Sequence, residues 1–148
     1  MNVLVLAAHP DDEVLGCGGT INKLSENNSV KVLTFTNGGG ARSNGSDRRQ
    51  ELHVSGKILG FDVLDTLDFP DNQLDTVPLL SLNKAVEDVL LRTNYEPEII
   101  LTHSPWCLNV DHKRVFESTQ VVCRLIKCKL MSFEVPSSSR SEEHTSEL

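Results

Sequence analysis

The sequence predicts an α/β fold: a Rossmann-like, mostly parallel β-sheet with helices on both faces. Five short runs rich in apolar and β-branched residues recur along the chain, and each gap between them holds a segment with helical periodicity. Strands and helices that alternate in this way are joined by right-handed crossovers, which place the helices on the two faces of one sheet.

The predicted elements alternate regularly along the chain. We expect the strands at residues 3–7, 30–36, 63–69, 99–102 and 130–133. We expect the helices at residues 13–26, 47–59, 79–92 and 111–127. Gly60 follows the second of these helices and Pro97 follows the third, and both residue types commonly mark the end of a helix.

The chain of 148 residues, 39% of them hydrophobic, is long enough for one domain with one core. We expect this domain to cover residues 1–138. Residues 139–148 lack apolar periodicity, which predicts a disordered tail. The segment RSEEHTSEL, residues 140–148, also resembles the translation of a sequencing adapter. We therefore expect the C-terminal part of the fold to be missing, which would leave the strand at 130–133 as an exposed apolar edge.

The acidic composition argues against several classes of partner. A formal charge of −7 disfavours nucleic acid, because proteins that bind it concentrate Lys and Arg on one face. The longest apolar runs are only a handful of residues, whereas a membrane-spanning helix needs about 20, so no membrane segment is expected. The N-terminus lacks the basic start of a signal peptide, which predicts a cytoplasmic location. The sequence leaves formation of a homo-oligomer open.

The four cysteines, Cys17, Cys107, Cys123 and Cys128, form no C-x-x-C pair and no zinc-finger spacing. This spacing predicts neither a disulfide framework nor a structural zinc site, and we expect reduced thiols. Cys107 could be a soft metal ligand, but a single cysteine without a spaced partner is more often a small buried hydrophobe.

Polar side chains that could bind a cation follow directly after the first predicted strand. The stretch VLVLAAHPDDEVLG, residues 3–16, changes at His9 from apolar side chains to an imidazole followed by the carboxylates of Asp11, Asp12 and Glu13. A packed core has no use for such a cluster, so the stretch indicates a cation site.

A second cluster follows the fourth predicted strand, which runs into His103 and then into residues 109–112, NVDH. In the common strand order 3-2-1-4-5 the first and fourth strands are neighbours. Active groups of open parallel sheets gather beyond the carboxyl ends of the strands. The two clusters are therefore expected to face each other across one crevice.

Catalytic zinc typically takes three protein ligands from His and carboxylate and keeps a position for water. His9, Asp12 and His112 could supply such a set, which leaves Asp11 or Asp111 as the base. The alternative is that these carboxylates only cap helices and interact with the positive end of the helix dipole. One such cluster is often only a helix cap. Two clusters at the ends of neighbouring strands favour a metal site over two unrelated caps.

Several stretches together resemble the PIG-L (LmbE-like) family of zinc-dependent N-acetylglucosaminyl deacetylases. AAHPDDEVLGCGGTI resembles the first signature of that family, and HSPWCLNVDHKRV resembles its second motif. RRQELHVSGKILGF, LDFPDNQLD and FEVPSS are similar to further family segments, so the resemblance covers nearly all of residues 1–138. The resemblance implies that His9, Asp12 and His112 bind Zn²⁺, with Fe²⁺ as the alternative ion, and that Asp11 is the general base.

The resemblance also implies roles for residues around the metal. Arg48, in the pattern R-x-x-E with Glu51, is similar to the substrate-contacting arginine of the family. Asn109 stands where many members have His and is implied to stabilise the oxyanion. Cys107 stands where the most similar members are expected to have Asp.

Asp111 is expected to orient the neighbouring His112, because imidazoles that bind a metal usually donate their second N–H to a carboxylate or carbonyl. Glu13 could serve the same purpose for His9. Both expectations rest on neighbouring positions in the sequence.

The implied reaction removes the N-acetyl group from a small N-acetylated sugar or glycoconjugate of the N-acetylglucosamine type, with water activated by the metal. Asp11 would take the proton of the water, and the Asn109 amide would help to hold the oxyanion. One alternative is an inactive truncated fragment. Another is a non-catalytic Rossmann-like module that binds a sugar or nucleotide, which is disfavoured because no G-x-G-x-x-G follows the first strand.

Overall fold

The computed structural model describes residues 1–40 and 47–138. Its strands are β1 (Asn2–Ala7), β2 (Ser29–Thr34), β3 (Asp62–Thr66), β4 (Ile99–His103) and β5 (Lys129–Phe133). Its helices are α1 (Asp12–Ser25), α2 (Arg49–Leu59), α3 (Leu79–Thr93) and α4 (Val110–Ile126), with short 3₁₀ turns at Leu74–Thr76 and Pro136–Ser138. The five strands are parallel in the order β3-β2-β1-β4-β5, which confirms the predicted Rossmann-like sheet.

Alternation along the central strand explains why helices cover both faces. Val3 and Val5 of β1 belong to a core cluster that includes residues of α1 and α2. Leu4 and Leu6 belong to a second cluster, which includes residues of α3 and α4. Because successive side chains of a strand point to opposite faces, one continuous apolar strand contributes to both cores.

The observed elements begin and end within three residues of the predicted ones. The largest difference is at β3, which ends at Thr66 instead of residue 69. The backbone N–H groups of Leu67 and Phe69 still donate to carbonyl oxygens that follow along the neighbouring strand, those of Thr34 and Phe35. The apolar sequence pattern therefore continues past the last residue of the regular strand. Pro70 comes next and has no N–H to donate, so these backbone hydrogen bonds stop there.

The sheet order places the ends of β1 and β4 side by side. Val3 pairs with Ile99 and Val5 pairs with Leu101, so the two strands run parallel and end at the same edge. The chain first builds outward from β1 to β3 and then continues with β4 on the other side of β1. Such a switch point forms the crevice in which ligands of open α/β sheets usually bind.

β5 forms one edge of the described sheet. Met131 is 55% exposed there, whereas Phe133 is buried. The predicted tail at residues 139–148 lies outside the described residues, as do residues 41–46. Within the described ranges, no helix combines the length and apolar character needed to cross a membrane.

Gly16 lies on α1 where this helix passes beside Phe133. A Cβ atom at position 16 would overlap with the buried Phe133 ring. We expect Gly16→Ala to lower the free energy of unfolding by about 1–3 kcal/mol, because the added methyl group must displace that ring. Gly19→Ala, on the same helix, is the matched control, since no atom lies within 4 Å of its Cβ position. This control should keep or raise stability, by up to about 1 kcal/mol. Equal urea-unfolding midpoints for the two variants would contradict the expectation.

Candidate metal centre

The candidate site lies at the carboxyl edge of the sheet, between the ends of β1 and β4. The chain leaves β1, passes His9, and begins α1 at Asp12 after a turn in which Asp11 has a φ of 117°. β4 ends at His103, and α4 begins at Val110. A positive φ in a non-glycine residue is strained, and such strain is concentrated at functional sites. The fold thus brings two distant polar segments to one place.

His9, Asp12 and His112 converge at this edge. The distance to Asp12 Oδ2 is 3.2 Å from His9 Nδ1 and 3.1 Å from His112 Nε2. One potential ligand atom from each residue lies within 4.8 Å of the other two. Asp12 and His112 are buried, and His9 is half-buried. Two imidazoles and one carboxylate are a donor set typical of catalytic zinc sites. The structure therefore brings the three predicted ligands together, and their role as ligands stays a prediction.

The electrostatics of this cluster favour positive charge. Burial lowers the pKa of His9, but its hydrogen bonds to Asp111 and Asp12 outweigh burial and raise the pKa to about 10. Burial also lowers the pKa of His112, whereas Asp12 and Cys107 raise it to about 9. Burial raises the pKa of Asp12, but hydrogen bonds from His112 and His9 hold it well below its usual range. A divalent ion would replace the imidazole protons, so these residues fit a metal.

Asp111 contacts His9 and not His112. Asp111 Oδ2 lies 2.8 Å from His9 Nε2, and the carboxylate also accepts the backbone N–H groups of Asn72 and Leu74 at 2.7 and 3.0 Å. The expectation that Asp111 orients His112 is therefore wrong, because adjacent residues of a helix point about 100° apart. Asp111 is fully buried and its oxygens are occupied, so Asp11 is the better placed of the two candidate bases.

A second carboxylate, that of Asp71, reaches the same imidazole nitrogen. Asp71 Oδ1 lies 2.9 Å from His9 Nε2, and Asp71 Oδ2 accepts the Gly40 N–H at 3.0 Å. His9, Asp71 and Asp111 form a second group whose potential ligand atoms lie within 4.8 Å of one another. Sequence reasoning assigned Asp71 no role. The sequence signal available for Asp71 was its position just after β3. The parallel strands β3 and β1 end at the same edge of the sheet, where the site lies.

The other ring nitrogen of His112 faces Cys107. The Cys107 Sγ lies 2.9 Å from His112 Nδ1, and this hydrogen bond lowers the pKa of the thiol against the raising effect of burial. His103 stacks on His112, with ring centroids 3.8 Å apart and planes inclined by 11°. Burial holds the pKa of His103 well below its usual value, and its Nε2 accepts the Ala8 N–H at 3.0 Å. Cys107 and His103 thus position the His112 ring, a role that sequence reasoning missed.

Asp11 lies at the margin of the cluster and pairs with Arg48. The Asp11 side chain is 39% exposed, and its Oδ2 lies 3.0 Å from Arg48 Nη1. Arg48 also pairs with Glu51 at 2.8 Å, so the R-x-x-E pattern forms an i,i+3 ion pair at the start of α2. Burial raises the pKa of Asp11, and the hydrogen bond from Arg48 partly offsets this effect. A carboxylate outside the ligand set and open to the crevice can exchange protons with water.

Asn109 is the N-cap residue of α4. Its Oδ1 accepts the backbone N–H groups of Asp111 at 2.9 Å and His112 at 3.3 Å. The family resemblance implies an oxyanion role for this amide, and the cap is an additional role, in line with the preference for Asn at N-cap positions. These contacts use only the oxygen of the amide, and the predicted role of its NH₂ group is compatible with them.

Glu13 is fully buried and supports the turn before α1. Its Oε2 accepts the Asp11 N–H at 3.0 Å, and burial raises the pKa of the carboxyl to about 7. The expectation that Glu13 orients His9 is wrong, since Asp111 and Asp71 hold the His9 Nε2 atom.

Two cavities differ in their relation to this site. One of about 640 Å³ lies at the amino ends of the strands, lined by residues such as Tyr95, Glu98 and Lys129. Another of about 210 Å³ lies beside Asp11 and Arg48. The lining of the smaller cavity includes Asp11 but none of the three converging residues His9, Asp12 and His112, so the donor set and not a cavity identifies the site.

Comparison with known proteins identifies relatives in sequence. Residues 4–123 match the family described as PIG-L: GlcNAc-PI de-N-acetylase. The chain is 28% identical over 139 residues to the uncharacterized deacetylase YaiS of Escherichia coli K12, an alignment that covers 91% of this chain and 74% of YaiS.

Solved structures show the same fold. The N,N'-diacetylchitobiose deacetylase of Pyrococcus horikoshii, in complex with its inhibitor MPG, has a TM-score of 0.71 at 26% identity, over 84% of this chain and 49% of that protein. GalB, the 4-carboxy-2-hydroxymuconate hydratase of Pseudomonas putida KT2440, has a TM-score of 0.68 at 25% identity, over 84% of this chain and 56% of GalB. The chain thus spans about half the length of these two structures.

The family match extends from β1 to the last turn of α4. It includes both polar segments and all three residues that converge at the carboxyl edge of the sheet. The match covers well over half of the chain, and the fold agrees with it. The chain therefore belongs to the PIG-L family of deacetylases.

Proposed function

We propose that the protein is a metal-dependent hydrolase that removes the N-acetyl group from an N-acetylglucosamine-type sugar or sugar conjugate. The observation that carries this proposal is the convergence of His9, Asp12 and His112, with the Asp11 carboxylate near enough for its charge to interact with Asp12 and His9. Membership of the PIG-L family and the likeness to a diacetylchitobiose deacetylase support the reaction class.

The proposed ion is Zn²⁺, with Fe²⁺ as the alternative, held by His9, Asp12 and His112. When bound, such an ion polarises an amide carbonyl and lowers the pKa of water. His9 presents Nδ1 to Asp12 and directs Nε2 to Asp111 and Asp71, which fixes the orientation of the ring. A carboxylate behind a ligating imidazole also raises its basicity.

Asp11 is the proposed general base. Its carboxylate is close to the ligand set but is held by Arg48, so it keeps a free oxygen for the attacking water. After taking the proton, Asp11 can return it to the departing amine nitrogen. Acetate and the free amino sugar are then released.

Asn109 and Arg48 are proposed to contact the substrate. The Asn109 NH₂ group can donate a hydrogen bond to the oxyanion, because its oxygen is already engaged with the start of α4. The guanidinium of Arg48 carries several N–H donors, and only part of them is used by Asp11 and Glu51. The remaining donors can bind sugar hydroxyl groups.

The proposal is tested by measuring acetate release from N-acetylglucosamine and N,N'-diacetylchitobiose. We expect release by the Zn²⁺-loaded protein, loss of release after treatment with a chelator, and recovery when Zn²⁺ is added back. A protein that binds one equivalent of Zn²⁺ but releases no acetate would contradict the proposal. Parallel hydration of 4-carboxy-2-hydroxymuconate would show that the same site adds water to a double bond instead.

A further inference from the structure

A pair of thiols lies at the far end of α4 from the metal centre. Cys123 is in the last turn of α4, and Cys128 directly precedes β5. Their Sγ atoms are 3.1 Å apart. The spacing C-x₄-C matches no common redox motif, and only the structure brings these two residues together.

The end of α4 explains the contact. Lys127 has a φ of 58°, and the Cys128 N–H donates to the Cys123 carbonyl oxygen at 3.2 Å. This is the hydrogen bond of a Schellman motif, which places the side chains at these two positions against each other. The contact is commonly apolar, and here two thiols form it. Both cysteines belong to or pack on the same core cluster, so the pair is held in place.

The two thiols differ in access to solvent. Cys123 is buried, whereas Cys128 is half-buried. Burial raises the pKa of the Cys123 thiol, which slows its reaction with a reagent from solution. Exposed basic side chains flank Cys128 in the sequence, but Glu87, Glu96 and Glu98 line the same cavity as Lys127 and Lys129, so solvent access and not charge distinguishes the two thiols. Cys128 is therefore the thiol that reacts first.

We propose that Cys123 and Cys128 form an oxidative modification site, which glutathione disulfide converts to an intramolecular disulfide. Cys128 loses its proton and attacks one sulfur of glutathione disulfide, which forms a mixed disulfide and releases one glutathione thiolate. Cys123 then loses its proton and attacks the Cys128 sulfur, which releases the second glutathione. The two protons pass to the two thiolates, so two protein thiols are oxidised and one glutathione disulfide is reduced.

The geometry requires little movement for the second step. A disulfide bond is about 2.05 Å long, so the two sulfurs must approach by only about 1 Å. The bond would fasten the end of α4 to the start of β5. It does not involve Cys17 or Cys107, and it is independent of the proposed deacetylase activity.

The test is to incubate the folded full chain with glutathione disulfide and to count free thiols after unfolding. We expect the count to fall from four to two, with the mass of two hydrogen atoms lost and no glutathione retained. Trypsin cleaves after Arg124 and Lys127, so the two cysteines fall in different peptides that only a disulfide joins. Cys123→Ser should instead retain glutathione on Cys128.

Cys17→Ala is the matched control, and it should still form the Cys123–Cys128 link. Retention of glutathione on Cys128 in the parent protein would overturn the proposal, because it would show that Cys123 cannot complete the exchange. A count that stays at four, or linked peptides that contain Cys17 or Cys107, would also overturn it. These readouts use the parent protein, so they hold even if a variant fails to fold.

Discussion

Replacement of His112 by alanine is expected to weaken Zn²⁺ binding more than about 100-fold. Removing a residue that only contacts a metal ligand commonly weakens binding by about 10- to 100-fold, and loss of the ligand itself should cost more. His112 would supply one of three ligand atoms, and its Nε2 is 3.1 Å from Asp12 Oδ2. The measurement is competition with a chromophoric chelator, together with the metal content after dialysis. Because His112 is buried and stacks on His103, the circular-dichroism spectrum and the urea-unfolding midpoint of the variant are measured alongside, and both should show a folded protein.

The control for this variant is His53→Ala, which removes an exposed imidazole from α2. It should bind Zn²⁺ as tightly as the parent protein. Parent-like affinity in His112→Ala would exclude this residue as a ligand. Equal losses in both variants would indicate binding at surface imidazoles instead.

Asp11→Asn is expected to retain Zn²⁺ and to lose at least about 100-fold in the turnover number for acetate release. The amide keeps the size of the side chain but cannot accept the proton of water. Burial raises the pKa of Asp11. Because a base must be ionised to act, activity of the parent protein should rise with pH through a value above the usual aspartate range.

Asp88→Asn is the matched control, since Asp88 is exposed on α3 and the variant removes the same charge. It should keep the parent turnover number. If Asp11 served only to hold Arg48, its replacement would raise KM and leave kcat unchanged. Loss of Zn²⁺ together with activity would instead make Asp11 a ligand.

The sheet and the meeting of the two polar segments could be predicted because they depend on simple periodicities. Alternation of strands and helices gives a parallel sheet, and a parallel sheet in the order 3-2-1-4-5 has β1 beside β4. Once these strands are neighbours, His9 and His112 must lie near one edge. No detail of side-chain packing is needed for this step.

The contacts behind the ligands could not be predicted in the same way. Asp111 and His112 are adjacent in sequence, but the phase of α4 directs the first to His9 and the second to Cys107. The position of Asp71 depends on the path of the irregular segment between β3 and α3, for which the sequence has no periodic signal. Such contacts follow from helix rotation and loop path, which the sequence pattern leaves undetermined.

The dual contact of Asn109 restricts which amino acids this position can tolerate. Alanine would remove both the amide donor and the cap, and loss of the cap alone commonly costs about 1 kcal/mol. Aspartate would keep the two bonds to the backbone of α4 but would place a negative charge where an oxyanion is expected to form. A survey of all substitutions at position 109 would therefore separate variants that keep the cap and lose only activity from variants that lose activity together with about 1 kcal/mol of stability.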